Sequence, residues 1–145
     1  MPLHRKVQVW LYRNEPSFQV LLLKRTKSDK GDWHPVTGNV EPHEPIHAAA
    51  LREAKEELGI SFSCEPLGLT FTYETKEGRR PGRYHETVFS ARPTSASDKI
   101  ELSKEHSEFA WLAPDEAAAR LHWPEQKKAL ELLVKRYGPA ASRAA

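Results

Sequence analysis

Apolar residues along this chain fall into short runs of two kinds, one alternating and one helical, separated by polar stretches marked with Pro and Gly. KVQVWLY (6–12) is rich in β-branched and aromatic residues and predicts a strand. FQVLLLKR (18–25) predicts a second strand, with Asn14–Ser17 as the turn between them. TKSDKGDW (26–33) reads as a loop, and the Gly-interrupted PVTGNVE (35–41) as strand or loop. Residues 45–58 predict a helix: Pro45 suits a first turn, Ala48–Leu51 are good formers, and Gly59 suits the stop. LGLTFTYET (67–75) and YHETVFSAR (84–92) predict strands joined by the basic KEGRRPGR. EFAWL (108–112) predicts a last short strand. Pro114 opens a small helix, and Pro124 a longer one through about Tyr137. Residues 1–4 and 138–145 are expected to fray. With no internal repeat and no linker, the pattern predicts one α+β domain over 1–145.

Composition narrows the class. At 145 residues the chain is long enough for one domain with its own core. Charged residues make up 29% and the net charge is +2, a balance that demands neither a nucleic-acid nor a membrane partner. The longest aliphatic run, Val20–Leu23, is too short to span a bilayer. No apolar leader run precedes Asn14, and the lone Cys64 excludes an internal disulfide framework. A soluble, cytoplasmic protein is the expectation.

His43-Glu44-Pro45-Ile46-His47 has the HExxH form of many zinc proteases. That chemistry needs both imidazoles on one helix face, four residues apart. Pro45 belongs at a helix start, which leaves His43 before the helix and His47 on it. The extended zinc pattern would also need a glycine at Ala50 and a histidine at Glu53. His43 is therefore expected in a loop and His47 at the helix surface or half-buried.

The acids of the same helix say more. At 100° per residue, Glu53, Glu56 and Glu57 share one side, while His47, Leu51, Ala54 and Leu58 share another. A solvated charged face normally carries i,i+4 pairs of opposite sign. Here Glu57 stands four residues after Glu53, and only Arg52 offers a cation. A hard divalent cation such as Mg²⁺, which takes oxygen ligands and keeps waters, explains acids held so close. Removing one of three exposed, mutually repelling charges is expected to leave the metal-free protein as stable or slightly more so. Gly38 allows a sharp turn that brings a carbonyl near the helix. Glu44 is expected either to cap the helix N-terminus or to pair with Arg52.

Gly38, Glu44 and Arg52-Glu53-Ala54-Lys55-Glu56-Glu57-Leu58-Gly59-Ile60 together resemble the Nudix box, G-x5-E-x7-R-E-U-x-E-E-x-G-U, with Ala54 smaller than the usual bulky aliphatic. Trp33–Gly38 is similar to the family's approach to the box, and the element order matches over roughly 5–137. The resemblance implies the Nudix fold, an α/β/α sandwich around a mixed sheet. It also implies Mg²⁺- or Mn²⁺-dependent hydrolysis of a nucleoside diphosphate linked to another group. On that resemblance Glu56 and Glu57 are metal ligands, Glu53 a ligand or base, and the Gly38 carbonyl a further ligand. Arg52 would orient Glu53 or pair with Glu44. Glu105, in LSKEHSEFAWL, is a general-base candidate and Glu86 a second one. Arg25 resembles a phosphate-contacting position, and Trp33 is a candidate to stack on a base. Arg79, Arg80 and Arg83 form a basic loop within reach of phosphates or solvent.

WHPVTGNVE and HWPEQKKALELL resemble the dihydroneopterin triphosphate or dNTP pyrophosphatases. LSKEHSEFAWL resembles diadenosine polyphosphate hydrolases equally, and nucleoside diphosphate sugars remain open. The expected partner is a small nucleotide, with a homodimer left open by the family's habits. A non-catalytic nucleotide-binding domain is the alternative of another class, and RNA cap removal is disfavoured by the lack of a strong basic patch.

Overall fold

Strand β1 (Leu3–Arg13) is the axis of the fold because three strands pair with it. The computed structural model describes residues 3–26, 32–76, 80–95 and 99–139. On one edge β1 runs parallel to β6 (Gly82–Pro93), from Leu3↔Arg83 to Leu11↔Ala91. Its other edge is divided. Lys6–Val9 pair antiparallel with β4 (Val36–Asn39), and Tyr12–Arg13 pair with β2 (Gln19–Arg25). β2 then carries β3 (Trp33–His34) and, on its opposite edge, β7 (His106–Leu112). β5 (Phe62–Thr75) closes the other end by pairing with β6. The result is one mixed, seven-stranded sheet.

Strand alternation explains the layers. Val7, Val9 and Leu11 of β1 and Leu21 and Leu23 of β2 point to one face, where α1 (Ile46–Leu58) packs through Ala49, Ala50, Ala54 and Leu58. Trp10, Tyr12, Val20 and Leu22 point to the other face. There α2 (Pro114–Arg120) and α3 (Pro124–Tyr137) cover it with Ala117, Ala129, Leu130 and Leu133. Val20–Leu23 is apolar without a break because both of its faces are covered. Ala49, Ala50 and Ala54 are 0% exposed, so the helix backbone lies close to the sheet; the small Ala54 is part of that fit. Leu58→Ala would open a hole beneath the helix and cost about 2–5 kcal/mol.

This is an α+β fold of three helices on two faces of a mixed sheet, as the pattern predicts. Boundaries differ in places. β5 begins at Phe62, earlier than 67, because Phe62 and Cys64 turn inward and a bulge between Pro66 and Leu69 absorbs the irregular residues. PVTGNVE forms strand β4, and Trp33 lies in β3 instead of a loop. Leu3 and His4, expected to fray, are paired with β6, and α3 ends at Tyr137. Residues 1–2 and 140–145 lie outside the described residues. Among the described residues no helix is long and apolar enough to cross a membrane.

Candidate active site

Helix α1 is delivered to the sheet by two local devices. Pro45, extended at ψ 141°, precedes its first turn, and His43 ahead of it has φ 64°. At the far end Gly59 takes φ 71°, and its N–H closes the last turn on the Lys55 carbonyl at 2.8 Å. The Leu58 carbonyl accepts from Glu101 N–H at 2.9 Å, bringing the segment before β7 against the helix end.

Arg52 gathers the acids. Its Nε donates to Glu44 Oε2 at 2.7 Å and its Nη2 to Glu44 Oε1 at 2.9 Å and to the Asn39 carbonyl at 2.8 Å. Its Nη1 donates to Glu53 Oε1 at 2.9 Å and reaches Glu56 Oε2 at 3.3 Å. Of the two roles open to Glu44, pairing with Arg52 is the observed one; the helix start has no side-chain cap, and Glu44 instead accepts the Glu41 N–H at 3.0 Å. Hydrogen bonds from Arg52 first, then from the Glu41 backbone, hold the Glu44 carboxyl down at about 2. The same pairing with Glu44 raises Arg52 further above its usual value.

Glu53 lies between this guanidinium and β4. A Cβ on Gly38 would overlap its carboxyl group, so glycine is what lets the side chain lie against that backbone. Burial pushes the Glu53 carboxyl above the ordinary range, against the pull of Arg52, and the charges of Glu56 and Glu57 add to the rise. Glu56 stays out in solvent, its side chain 57% exposed.

Glu57 departs from the expected exposed face: it is 7% exposed, at the margin of the packed stripe. Ser103 Oγ donates to its Oε2 at 2.7 Å, and His106 Nδ1 lies 2.6 Å from the same oxygen. That second contact is short, although the Nδ1 geometry falls short of a well-aligned hydrogen bond. Burial alone would raise the Glu57 carboxyl; His106 and Ser103 outweigh it and hold the group below its ordinary value. Behind His106 stands His34, with the two Nε2 atoms 3.0 Å apart. His34 Nδ1 donates to the Pro35 carbonyl at 2.6 Å, which leaves its Nε2 to accept from His106. Burial, then the charges of Arg25 and His106, push the His34 imidazole down to about 4, so it is neutral. Neither His34 nor His106 was singled out by residue spacing, although WHPVTG and the Glu105-His106 pair stood beside residues that were.

The other expected residues are placed unequally. Arg25 ends β2 opposite His106, near enough for its charge to act on His34. Glu105 sits in the same loop as Ser103, just before His106 opens β7, with its side chain exposed; its carbonyl accepts the Thr26 N–H at 3.0 Å. Trp33 is half-buried with the Arg120 guanidinium 4.7 Å over its ring, so one face is already covered. Glu86 does not join the α1 acids. Alternation turns it to the opposite face of the sheet, where it accepts from Gln8 Nε2 at 2.7 Å and Tyr73 OH at 3.1 Å. Arg80 contacts His4, and Arg79 lies outside the described residues. His47 Nε2 meets the Cys64 carbonyl at 3.0 Å, so it does not pair with His43.

Among the described residues no three His, Cys, Asp or Glu side chains converge as a ready-made metal cage. The donor set still fits a hard cation. It offers carboxylate oxygens on one helix beside a strand backbone made accessible by Gly38, which suits an ion that retains waters and is completed by substrate oxygens.

Residues 2–133 match the family model of the NUDIX domain. The chain is 32% identical over 126 residues to dihydroneopterin triphosphate diphosphatase of Escherichia coli strain K12, covering 80% of this chain and 83% of that one. It is 31% identical over 99 residues to the asymmetrical bis(5'-nucleosyl)-tetraphosphatase of Mus musculus, covering 68% and 67%. A solved NUDIX hydrolase structure from Listeria monocytogenes superposes with a TM-score of 0.78 at 30% identity, covering 94% of each chain. Some relatives are much longer: the chain spans 29% of an octanoyltransferase of Myxococcus xanthus and 38% of an m7GpppN-mRNA hydrolase of Bos taurus.

Proposed function

The chain belongs to the NUDIX domain family, and from that membership we propose that it is a divalent-metal-dependent pyrophosphohydrolase acting on a small nucleotide. The observation that carries the reading is the Arg52 hub. One guanidinium orders Glu44, Glu53 and Glu56 beside the β4 backbone, where Gly38 leaves room for the Glu53 carboxyl.

Glu53, Glu56 and Glu57, with the Gly38 carbonyl, are the groups that would hold the cation. When bound, Mg²⁺ or Mn²⁺ neutralises phosphate charge and acidifies a water. The chain's own residues do the rest. Arg52 keeps Glu53 in place and offsets its repulsion from Glu56. In its alternative role Glu53 would act as the base instead of binding the cation. Glu105, exposed at the rim, takes the proton of the attacking water. Arg25, beside His34, offers a fixed positive charge to phosphate oxygens.

For substrate we favour a nucleoside triphosphate-like compound, a dNTP or dihydroneopterin triphosphate. Support comes from the relative of that name, 83% of which this chain covers. A diadenosine polyphosphate is the second reading, supported by the tetraphosphatase relative. The buried Cys64 thiol is in keeping with a reducing, cytoplasmic setting. The test is a panel of dNTPs, dihydroneopterin triphosphate, diadenosine tetraphosphate and nucleoside diphosphate sugars with Mg²⁺, products resolved by mass. Turnover of one class, abolished by EDTA, is expected. Binding with no turnover across the panel would leave a nucleotide-binding domain, and full turnover in EDTA would end the metal reading.

A further inference from the structure

Of the α1 acids, Glu57 is the one held from the side away from Arg52. Both of its side-chain partners meet the same oxygen: Ser103 Oγ at 2.7 Å and His106 Nδ1 at 2.6 Å, each to Oε2. Among the described residues no donor reaches Oε1. Ser103 N–H also bonds the Glu57 main-chain carbonyl at 3.0 Å, so the loop grips helix backbone and side chain together. His106 is itself braced. Its Nε2 lies 3.0 Å from His34 Nε2, with ring centroids 4.9 Å apart, and His34 is anchored on the Pro35 carbonyl at 2.6 Å. One line of contacts therefore joins the β3–β4 junction, the start of β7 and α1.

A glutamate left to itself samples several rotamers and loses that freedom when it binds an ion. A carboxylate with one oxygen pinned has already lost it, and its second oxygen points one way. Partners of this kind, standing behind a ligand, set its orientation and with it the affinity for metal. Two close partners on one oxygen are also more than burial requires, because the Ser103 hydrogen bond alone would satisfy that atom.

We infer that His106 is a positioning residue for metal binding: with Ser103 beside it and His34 behind it, it pins Oε2 of Glu57 and presents Oε1 as a single, pre-oriented ligand to a divalent cation. The inference rests on the reading of α1 as a metal-holding helix. A purely structural role for His106 would show in the melting temperature and leave metal affinity alone.

The test is titration of Mn²⁺ alone into metal-free protein, without substrate, followed by the EPR signal of free Mn²⁺, with the melt in EDTA recorded on the same preparations. His106→Leu is expected to weaken Mn²⁺ binding by about 10–100-fold. His106→Asn, which keeps an N–H near the position of Nδ1, should stay within roughly threefold of wild type. Ser103→Ala, a change in a loop, should weaken binding by several fold and serves if His106→Leu does not fold. Wild-type affinity in both His106→Leu and Ser103→Ala, with binding lost in Glu57→Gln, would overturn the positioning role and leave the metal reading standing. His106→Asn as weak as His106→Leu would overturn it too, since the donor would then not matter. If Glu57→Gln itself binds Mn²⁺ as tightly as wild type, the metal reading is what fails.

Discussion

Glu44 and Arg52 form a two-pronged ion pair, Nε to Oε2 at 2.7 Å and Nη2 to Oε1 at 2.9 Å, tying the approach to α1 onto its second turn. The remaining guanidinium nitrogen is thereby aimed at Glu53 and Glu56. A lysine is a point charge on a flexible stem and cannot fill all these positions. Arg52→Lys is expected to lower kcat/KM by about 10–10²-fold, roughly 1.4–2.7 kcal/mol in the barrier. Unchanged kinetics would mean that charge alone matters here and that the fork does not.

Glu57→Gln separates site from scaffold. If the acids formed an exposed, repelling face, the metal-free variant would melt at or above wild type. Burial of Glu57 against Ser103 and His106 reverses that expectation. Losing a charged acceptor in a buried contact costs about 1–3 kcal/mol, so the variant should melt lower in EDTA. Its rate with Mg²⁺ should fall by about 10²–10⁴. A melt above wild type would restore the repulsion account.

Glu105 is exposed, so replacing it should leave the fold alone. As general base, Glu105→Gln should lower kcat by about 10²–10⁴ with little change in KM. A kcat near wild type moves the proton to Glu53. It does not move it to Glu86, which stands on the far side of the sheet.

His43 and His47 have no part in a carboxylate site. His43→Ala and His47→Ala should each keep activity within roughly tenfold. His47→Ala gives up the bond to the Cys64 carbonyl and should lose about 1 kcal/mol of stability. Two folded but inactive variants with zinc bound would reopen the HExxH reading.

His34 makes stability depend on pH. Its imidazole is held down at about 4 in the folded chain, against an ordinary value of 6.5. The unfolded chain thus binds more protons between these values, and stability falls as the pH drops through that window. The contribution is fully present above the ordinary value and amounts to roughly 1–3 kcal/mol. Urea melts of wild type and His34→Asn at about pH 7 and about pH 4.5 should show a smaller difference between the two pH values in the variant. Equal slopes would place the acid sensitivity elsewhere.

The local parts of the fold were legible in residue order. Pro45 and Gly59 bracket α1: a proline has no N–H to extend a helix backward, and Gly59 takes the left-handed φ of 71° that ends it. β1 and β2 announce themselves by alternation and by a doubly buried apolar run. What stayed hidden needed distant segments to meet. Ser103 is 46 residues from Glu57, and nothing on the α1 wheel foretells that a loop closes over one edge of its acidic side. Glu86 looked like a base because it is an acid in a strand. Only its register against β1 and β5 shows which way it turns. The start of β5 was obscured by Pro66 and Gly68, residues that break strands unless a bulge accommodates them.

Along β6, odd-numbered Phe89 and Ala91 belong to the α1 layer, while even-numbered Val88 belongs to the α3 layer and Glu86 faces the same way. The strand is a partition with a parity rule. Substitution at even positions, facing cross-strand partners such as Leu69 and Phe71, disturbs the packing beneath α3, while the carboxylate helix keeps its footing on the other face.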